Sequence, residues 1–185
     1  MINNATIEQI LAQYAILRNY CDTLWNSKFK AYYSRIQCRK GCSHCCILQS
    51  VNILEAYIIF KNSDNVLQDI QSGHCSTGRC VYLSPSGDCT IYPFRPILCR
   101  THGLLLKSAE FIDNIARSCE FNFTGDVSDA SAAAIDIDSI TYNAEKLCCA
   151  FALAAGDLHL SSARVSLGDI RLKVLPDQLK ELFHQ

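Results

Sequence analysis

The sequence predicts a mainly α-helical, single-domain protein in which a cysteine-rich, irregular metal-binding centre lies between a long N-terminal helix and C-terminal helices. The prediction rests on an amphipathic opening without glycine or proline, a middle rich in cysteine and turn residues, and renewed helical periodicity near the end. With 185 residues, 49% of them hydrophobic, the chain can bury one apolar core without needing disulfide bonds or metal ions merely to fold.

The opening predicts one long amphipathic helix. Residues 6–36 contain neither glycine nor proline, and their apolar side chains recur at steps of three and four. Thr6 and Gln9 have the spacing of a capping box, in which two side chains satisfy free backbone N–H groups at a helix start. We therefore expect the helix to begin near Thr6 and to run directly into the first cysteines.

A second helix is expected to start at Ser50, and a shorter one is expected over residues 64–71. From Gly73 to Gly103 the pattern changes to short pieces separated by turn residues and three prolines. Such irregular structure seldom holds together without a core or a metal. Residues 1–123 are thus predicted to form a helical and cysteine-cluster region whose motif core spans about 38–102.

The later part of the chain predicts an acidic connector followed by helices. No basic residue occurs between Arg117 and Lys146, and residues 124–138 are acidic and rich in serine and alanine, without the ligand pattern of an EF-hand. Helical spacing from Ile140 continues to Gly156, which suits a C-cap, and LPDQLKELF predicts a last short helix. Residues 139–185 should pack on the same domain.

The charge balance and the cysteine content restrict the partners and the compartment. Lys+Arg 17 against Asp+Glu 18 gives a formal net charge of −1, which argues against a general nucleic-acid binder. No signal-peptide pattern and no membrane-spanning run is visible, so we expect a cytoplasmic protein with no membrane partner; a protein partner stays open. Because cytoplasmic thiols are kept reduced, clustered cysteines there usually bind metal or perform redox chemistry.

The 12 cysteines fall into groups of different character. Three lie on or beside the apolar faces of predicted helices and are interpreted as small buried hydrophobes. Four thiols crowd into nine residues, and three more follow in a second stretch with Cys119 further along. The hydrophobic group is Cys21, Cys148 and Cys149; the candidate metal ligands are Cys38, Cys42, Cys45, Cys46, Cys80, Cys89 and Cys99, with Cys119 and His102 as further candidates.

The number of candidate ligands exceeds the needs of one site. Cys38, Cys42 and Cys45 can turn inward around one centre, as in zinc and iron–sulfur loops. Adjacent side chains usually project apart, so we expect Cys46 to serve a second centre or a different iron. One zinc ion or one cubane cluster takes about four ligands, so two sites are arithmetically allowed.

Positive and imidazole side chains accompany the sulfurs. Cations near a thiolate site offset its surplus negative charge, and those bracketing Cys99 are the best candidates for that supporting role. His44 and His102 could each replace a thiolate. Glu55, on the helix after the first loop, could face the metal, but a surface position is expected. The cations close in sequence are Arg35, Arg39, Lys40, Arg79, Arg95 and Arg100.

These residues together resemble a known family. Cys38 to Cys46 form C-x3-C-x2-CC, followed by Cys80-x-x-Leu83, Arg95-Pro96 and Cys99-Arg100. In order, they resemble the YkgJ-type CxxCxxCC family, a zinc- or iron-chelating domain, over roughly residues 38–102. The resemblance implies chelation of zinc or iron by the motif cysteines and implies no particular reaction.

The metal and its use stay open at this point. Tetrahedral thiolate sites suit zinc and iron–sulfur centres alike. The compact loop and the distant later thiols favour a [4Fe-4S] cluster, with zinc as the alternative. The protein is then a metal-binding module, a component of a redox or protein-modifying enzyme, or a thiol-based redox or metal sensor. No nucleophile–base pair, phosphate loop or placed carboxylate pair marks an enzyme.

Overall fold

The structure is a computed structural model that describes residues 3–63, 78–111, 116–125, 133–175 and 177–184. It is mainly α-helical, which confirms the predicted fold class. The helix predicted over 64–71 lies outside the described residues, as does Cys75. The α-helices are α1 Asn4–Ala31, α2 Ile53–Asn62, α3 Ile97–Thr101, α4 Ile137–Ala154, α5 Leu167–Leu172 and α6 Asp177–His184.

Two small sheets join distant parts of the chain. Strand β1 (Ser50–Asn52) pairs antiparallel with β4 (Arg164–Ser166), and β2 (Leu106–Lys107) pairs parallel with β3 (Ile135–Asp136). Val51 faces Val165 in the first pair, and both side chains are buried. The sheets therefore fasten the C-terminal part of the chain to the cysteine-rich middle.

Helix α1 has the predicted buried face but different ends. Ile7, Ile10 and Tyr14 are buried along one side. Asn3, not Thr6, caps the helix, because its side chain accepts a hydrogen bond from the N–H of Thr6 at 3.2 Å. The predicted capping box is thus wrong. The helix also ends at Ala31 instead of near residue 36, since the chain turns there and places Ile36 in the core.

The start of α2 also differs from the prediction. Ser50 was expected to begin the helix, but Ser50–Asn52 forms β1 and the helix begins at Ile53. Asn52 caps it by accepting a hydrogen bond from the N–H of Glu55 at 2.9 Å. Pairing with β4 supplies partners for a backbone that would otherwise form the first helical turn.

Helix α4 confirms the predicted late helix and shortens the predicted connector. Asp136 caps α4, and Gly156 follows its end with a φ of +92°, the left-handed conformation that favours glycine after a helix. Residues 126–132 of the connector lie outside the described residues. Its last part is ordered, because Ile135 is buried in β3 and Asp138 accepts a hydrogen bond from the hydroxyl of Ser108.

The apolar core lies where α1, α2 and α4 pack together, with α6 closing one side. The rings of Phe60 and Phe183 meet edge to face at 5.2 Å, and Tyr57 contacts Phe151 at the same centroid distance. In the part of the chain that is described, no helix is both long and apolar enough to span a membrane. Helix α3, packed against α1, carries Cys99 to the edge of this core.

Candidate metal centre

The two cysteine stretches meet at one cavity of about 600 Å³, here called the main cavity. The thiols of residues 38–46 and those of residues 80–99 line the same space, although the stretches are far apart in sequence. This convergence is the arrangement that a shared metal centre needs. The lining cysteines are Cys38, Cys42, Cys45, Cys46, Cys80, Cys89 and Cys99.

The first stretch is a loop held by its own backbone and by Arg39. The Arg39 guanidinium donates hydrogen bonds to the carbonyls of Ile36 and Cys38 at 2.7 and 2.8 Å, and it lies 4.2 Å from the ring centroid of Tyr33. The N–H of Cys42 donates to the Arg39 carbonyl at 2.9 Å. Arg39 therefore fixes the entry to the loop and does not simply offset thiolate charge.

The second stretch is fastened to the first by a backbone hydrogen bond. The N–H of Cys80 donates to the carbonyl of Cys46 at 2.8 Å. A tight turn at Ser84–Asp88 then brings Cys89 back opposite Leu83 in a β-bridge. A short 3-10 helix at Tyr92–Phe94 leads to α3 and Cys99. Three sulfurs thus reach the cavity from a turn, a bridge and a helix.

Four thiols of the main cavity interact electrostatically, and we call them the inner thiols. Burial, and then the charges of Cys80 and Cys89, raise the pKa of Cys99 to about 12. Burial also raises the pKa of Cys89. Such thiols keep their protons at neutral pH unless a cation compensates the thiolate charge, which a bound metal does. The inner thiols are Cys46, Cys80, Cys89 and Cys99; Cys45 also acts on Cys46 and on Cys99.

Cys45 and Cys46 lie next to each other and interact directly. A hydrogen bond between the two side chains lowers the pKa of Cys46 and raises that of Cys45, which is the donor. This interaction places the two sulfurs near each other, whereas we expected the adjacent side chains to project apart. Cys45 is therefore the junction between the first loop and the inner thiols.

Cys38 has a buried partner that the sequence did not reveal. The Asn122 side chain donates a hydrogen bond to Cys38 Sγ at 3.2 Å and another to the Gly103 carbonyl at 2.7 Å. Its own oxygen accepts from the N–H of Gln37 at 2.7 Å. Burial raises the pKa of Cys38, and the hydrogen bond from Asn122 opposes that rise. Asn122 thus both positions the Cys38 sulfur and favours its thiolate.

The further ligand candidates lie around the same region. Cys119 lines two side cavities of about 390 and 290 Å³, both also lined by His44. His102 lines the main cavity, and burial lowers the pKa of its imidazole, which favours the neutral form that ligates metals. The backbone carbonyl of His102 accepts a hydrogen bond from the Trp25 indole at 3.2 Å.

Arg95 and Arg100 share one carboxylate beside the cavity. Asp22 on α1 accepts from Arg95 at 2.9 Å and from Arg100, whose side chain is 4% exposed. Arg95 also lines the main cavity, and its charge favours the thiolate of Cys89. The expectation that one of these arginines supports the sulfurs is met in geometry by Arg95, while Arg100 anchors α3 to α1.

Glu55 is buried, which makes the expected surface position wrong. It is 8% exposed and accepts hydrogen bonds from the Tyr14 hydroxyl at 2.6 Å and the N–H of Ile97 at 3.0 Å. Burial is tolerated because both bonds satisfy the carboxylate. Glu55 therefore ties α1 to α2 and to the start of α3, the helix that carries Cys99. Sequence patterning gave no signal for it, because the partners come from distant segments.

The cysteines assigned to packing lie away from the main cavity. Cys21 and Cys148 are buried, and the Cys148 thiol faces the Ser161 carbonyl at 3.7 Å. Cys149 is exposed, so its interpretation as a buried hydrophobe is wrong; it lies on the outer face of α4. Cys148 and Cys149 consequently serve as matched controls for the cysteines of the cavity.

The thiol donors suit a thiophilic metal, but the described sulfurs are not close enough to one another to act as ligands of one ion. Within the described ranges, no three His, Cys, Asp or Glu side chains form a group that could hold a metal ion. The sulfurs instead surround an open space, into which they would have to move. Closure around a metal is expected where binding and local ordering are coupled.

Comparison with known proteins identifies the same region. Residues 37–120 match the family model CxxCxxCC, described as a putative zinc- or iron-chelating domain. The match confirms the resemblance carried by the cysteine motifs and extends it to Cys119 and Glu120. No curated protein and no solved structure shows significant similarity to the chain.

Proposed function

We propose that this protein binds iron as a [4Fe-4S] cluster at the main cavity, a proposal supported by the match of residues 37–120 to the CxxCxxCC family model. The observation that carries the proposal is the convergence of seven thiols from two distant stretches on one space. Thiolates select zinc and iron–sulfur clusters over hard cations. The inner thiols supply the four ligands that one cluster takes.

The compact first loop and the distant later thiols favour a cluster over a single ion. The main cavity is lined by seven thiols, more than the four ligands that one zinc ion takes. A bound cluster would supply either a structural centre or one-electron redox chemistry. The protein would contribute the thiolates and the nearby charge of Arg95.

The test is anaerobic purification of the full chain, followed by iron, zinc and acid-labile sulfide analysis and visible spectroscopy. We expect a brown protein that contains iron and sulfide in equal amounts. Cys46→Ala and Cys99→Ala should each lose most of that iron, because each removes one of four ligands. Cys148→Ala and Cys149→Ala should keep it.

Three results would contradict the iron–sulfur proposal. A colourless protein with stoichiometric zinc would replace the cluster with a zinc site. A protein without metal would remove chelation altogether. Loss of iron from Cys148→Ala, with the inner thiols intact, would show that the ligands were assigned to the wrong cysteines.

A second candidate function, a thiol-based redox sensor, is favoured by one observation. The Cys45–Cys46 hydrogen bond lowers the pKa of Cys46, and a stabilised thiolate reacts faster with oxidants. If the metal-free protein is a sensor, mild peroxide should oxidise Cys46 before Cys149, as read by mass spectrometry after thiol labelling. Equal oxidation of the two cysteines would exclude this function.

A further inference from the structure

Part of the main cavity is lined by aromatic rings instead of sulfurs. Trp25 and Phe29 lie one turn apart on α1, and both line the cavity. Their rings stack at a centroid distance of 4.8 Å with an angle of 20° between the planes. Tyr92, which is 59% exposed, lines the cavity from the second cysteine stretch. Trp25 and Phe29 precede residues 37–120, so these two rings are not part of the matched domain.

A guanidinium lies against a ring of this aromatic lining at two places. The Arg39 guanidinium lies 4.9 Å from the ring centroid of Phe29, and that of Arg95 lies 3.8 Å from the centroid of Tyr92. Both arginines also line the main cavity. A ring beneath a guanidinium holds its plane and leaves the N–H groups at its edge for other partners. The aromatic lining thus holds two cations at the same space.

Positive charge exceeds negative charge among the described residues that line the cavity. The Arg39 guanidinium donates to three backbone carbonyls, which orient it without neutralising its charge. Lys40 is exposed and lines the same cavity. The carboxylate among these lining residues is that of Asp88. Asp22, which pairs with Arg95, is shared with a second arginine. The cavity therefore has cationic charge available for an anion.

The cations of the first loop are separate from those that act on the inner thiols. In the described part of the chain, Arg95 is the only cation among the main charges that act on the three inner thiols with shifted pKa values. Arg39 and Lys40 are not among those charges. Their charge therefore remains available for another anion when the inner thiols hold a cluster.

We propose that the main cavity binds a small organic anion together with the proposed cluster: a planar ring that contacts the aromatic lining and carries a carboxylate or phosphate held by Arg39 and Lys40. The inference deepens the proposed function and rests on it, because ligand and cluster share one cavity. Small-molecule sites combine an apolar, often aromatic lining with a few charged groups that orient the ligand. Guanidinium and ammonium groups are the usual partners of carboxylates and phosphates in such sites.

The experiment measures binding by equilibrium dialysis to the anaerobically purified, iron-loaded full chain. Naphthyl phosphate and naphthoate each join a planar ring to an anion, whereas naphthol lacks the anion and inorganic phosphate lacks the ring. We expect at least one of the two joined probes to bind with a Kd below about 1 mM, and about tenfold more tightly than naphthol or inorganic phosphate. The joined probe that binds more tightly identifies the anion as phosphate or carboxylate.

Two exposed lining residues can be replaced with little cost to the fold. Tyr92→Leu should weaken binding of the better probe by about fivefold through the loss of an aromatic contact. Lys40→Ala should weaken it by about threefold, as for an exposed ion pair, and the double variant by more than about tenfold. The matched controls are Tyr142→Leu and Lys30→Ala, because both side chains are exposed and neither lines the cavity. Every variant should keep the iron content of the wild type.

The outcomes separate this inference from the proposed function. An iron-loaded protein that binds neither joined probe, or binds them no more tightly than naphthol and inorganic phosphate, overturns the inference alone. Unchanged binding in the double variant, or equal weakening in the controls, places the probe elsewhere and also overturns it alone. A wild-type protein without iron overturns the proposed function and this inference together. Selective weakening in Tyr92→Leu and Lys40→Ala at unchanged iron content supports the ligand site.

Discussion

The hydrogen bond between Tyr14 and Glu55 allows a direct test of how much this buried contact between α1 and α2 stabilises the fold. Burial, and then the charge and hydrogen bond of Glu55, raise the pKa of Tyr14 well above its usual value. The phenol therefore stays protonated and donates a hydrogen bond to the Glu55 carboxylate. Tyr14 is 1% exposed, and the bond is 2.6 Å long. Tyr14→Phe removes the donor without creating a cavity, because the ring stays the same size.

The expected loss follows from the type of bond. A hydrogen bond to a charged group contributes about 1.5–3 kcal/mol. Glu55 keeps its bond from the N–H of Ile97, so the carboxylate is not left without a donor. We therefore expect the free energy of unfolding to fall by about 2 kcal/mol, within that range. For a chain of this size that loss lowers the Tm by about 4–8 °C.

The assay is urea unfolding of Tyr14→Phe at metal content equal to that of the wild type, because bound metal itself adds stability. Tyr20→Phe is the matched control on the same helix, since Tyr20 is 53% exposed. It should change the free energy of unfolding by less than about 0.5 kcal/mol. A Tyr14→Phe loss no larger than that of Tyr20→Phe would show that the Tyr14–Glu55 bond does not stabilise the fold, and a double-mutant cycle with Glu55→Gln isolates the contribution of the pair.

Two further predictions concern backbone conformation and acid stability. Gly103→Ala should lower the free energy of unfolding by about 1–3 kcal/mol through strain at its φ of +88°, and the added Cβ should also displace Cys38 and reduce bound metal. Gly125→Ala, at φ +91° with nothing within 4 Å of the added Cβ, is the control, and equal metal loss in both variants would contradict this account. The hydroxyl of Ser108 and then the N–H of Ala109 hold the pKa of Asp138 below its ordinary value, so its contribution is complete above about pH 4 and disappears as the pH falls through the lowered pKa. Thermal melts should therefore show Asp138→Asn less stable than wild type at pH 7 with the difference narrowing below pH 4, and a constant difference across that range would exclude the mechanism.

Features that depend on neighbours along the chain could be predicted from the order of the amino acids. Helical spacing located the buried faces of α1 and α4, and Gly156 marked the end of the latter. The crowding of Cys38 to Cys46 predicted a metal-binding loop, and the order of motifs after it gave the resemblance to the CxxCxxCC family, whose model residues 37–120 match. These signals are local, because helix periodicity and loop ligand spacing each involve residues a few positions apart.

The distant residues that position the candidate site could be found only from the folded chain. Asn122 is 84 positions from the sulfur it contacts, and Glu55 is 41 positions from Tyr14. No periodic pattern links such pairs, so a buried carboxylate on an apolar helix looked like a surface residue in the sequence. The three-residue strand at Ser50 was equally hidden, since its pairing depends on Arg164–Ser166. Long-range hydrogen bonds satisfy buried polar groups, and those bonds exist only once the chain has folded.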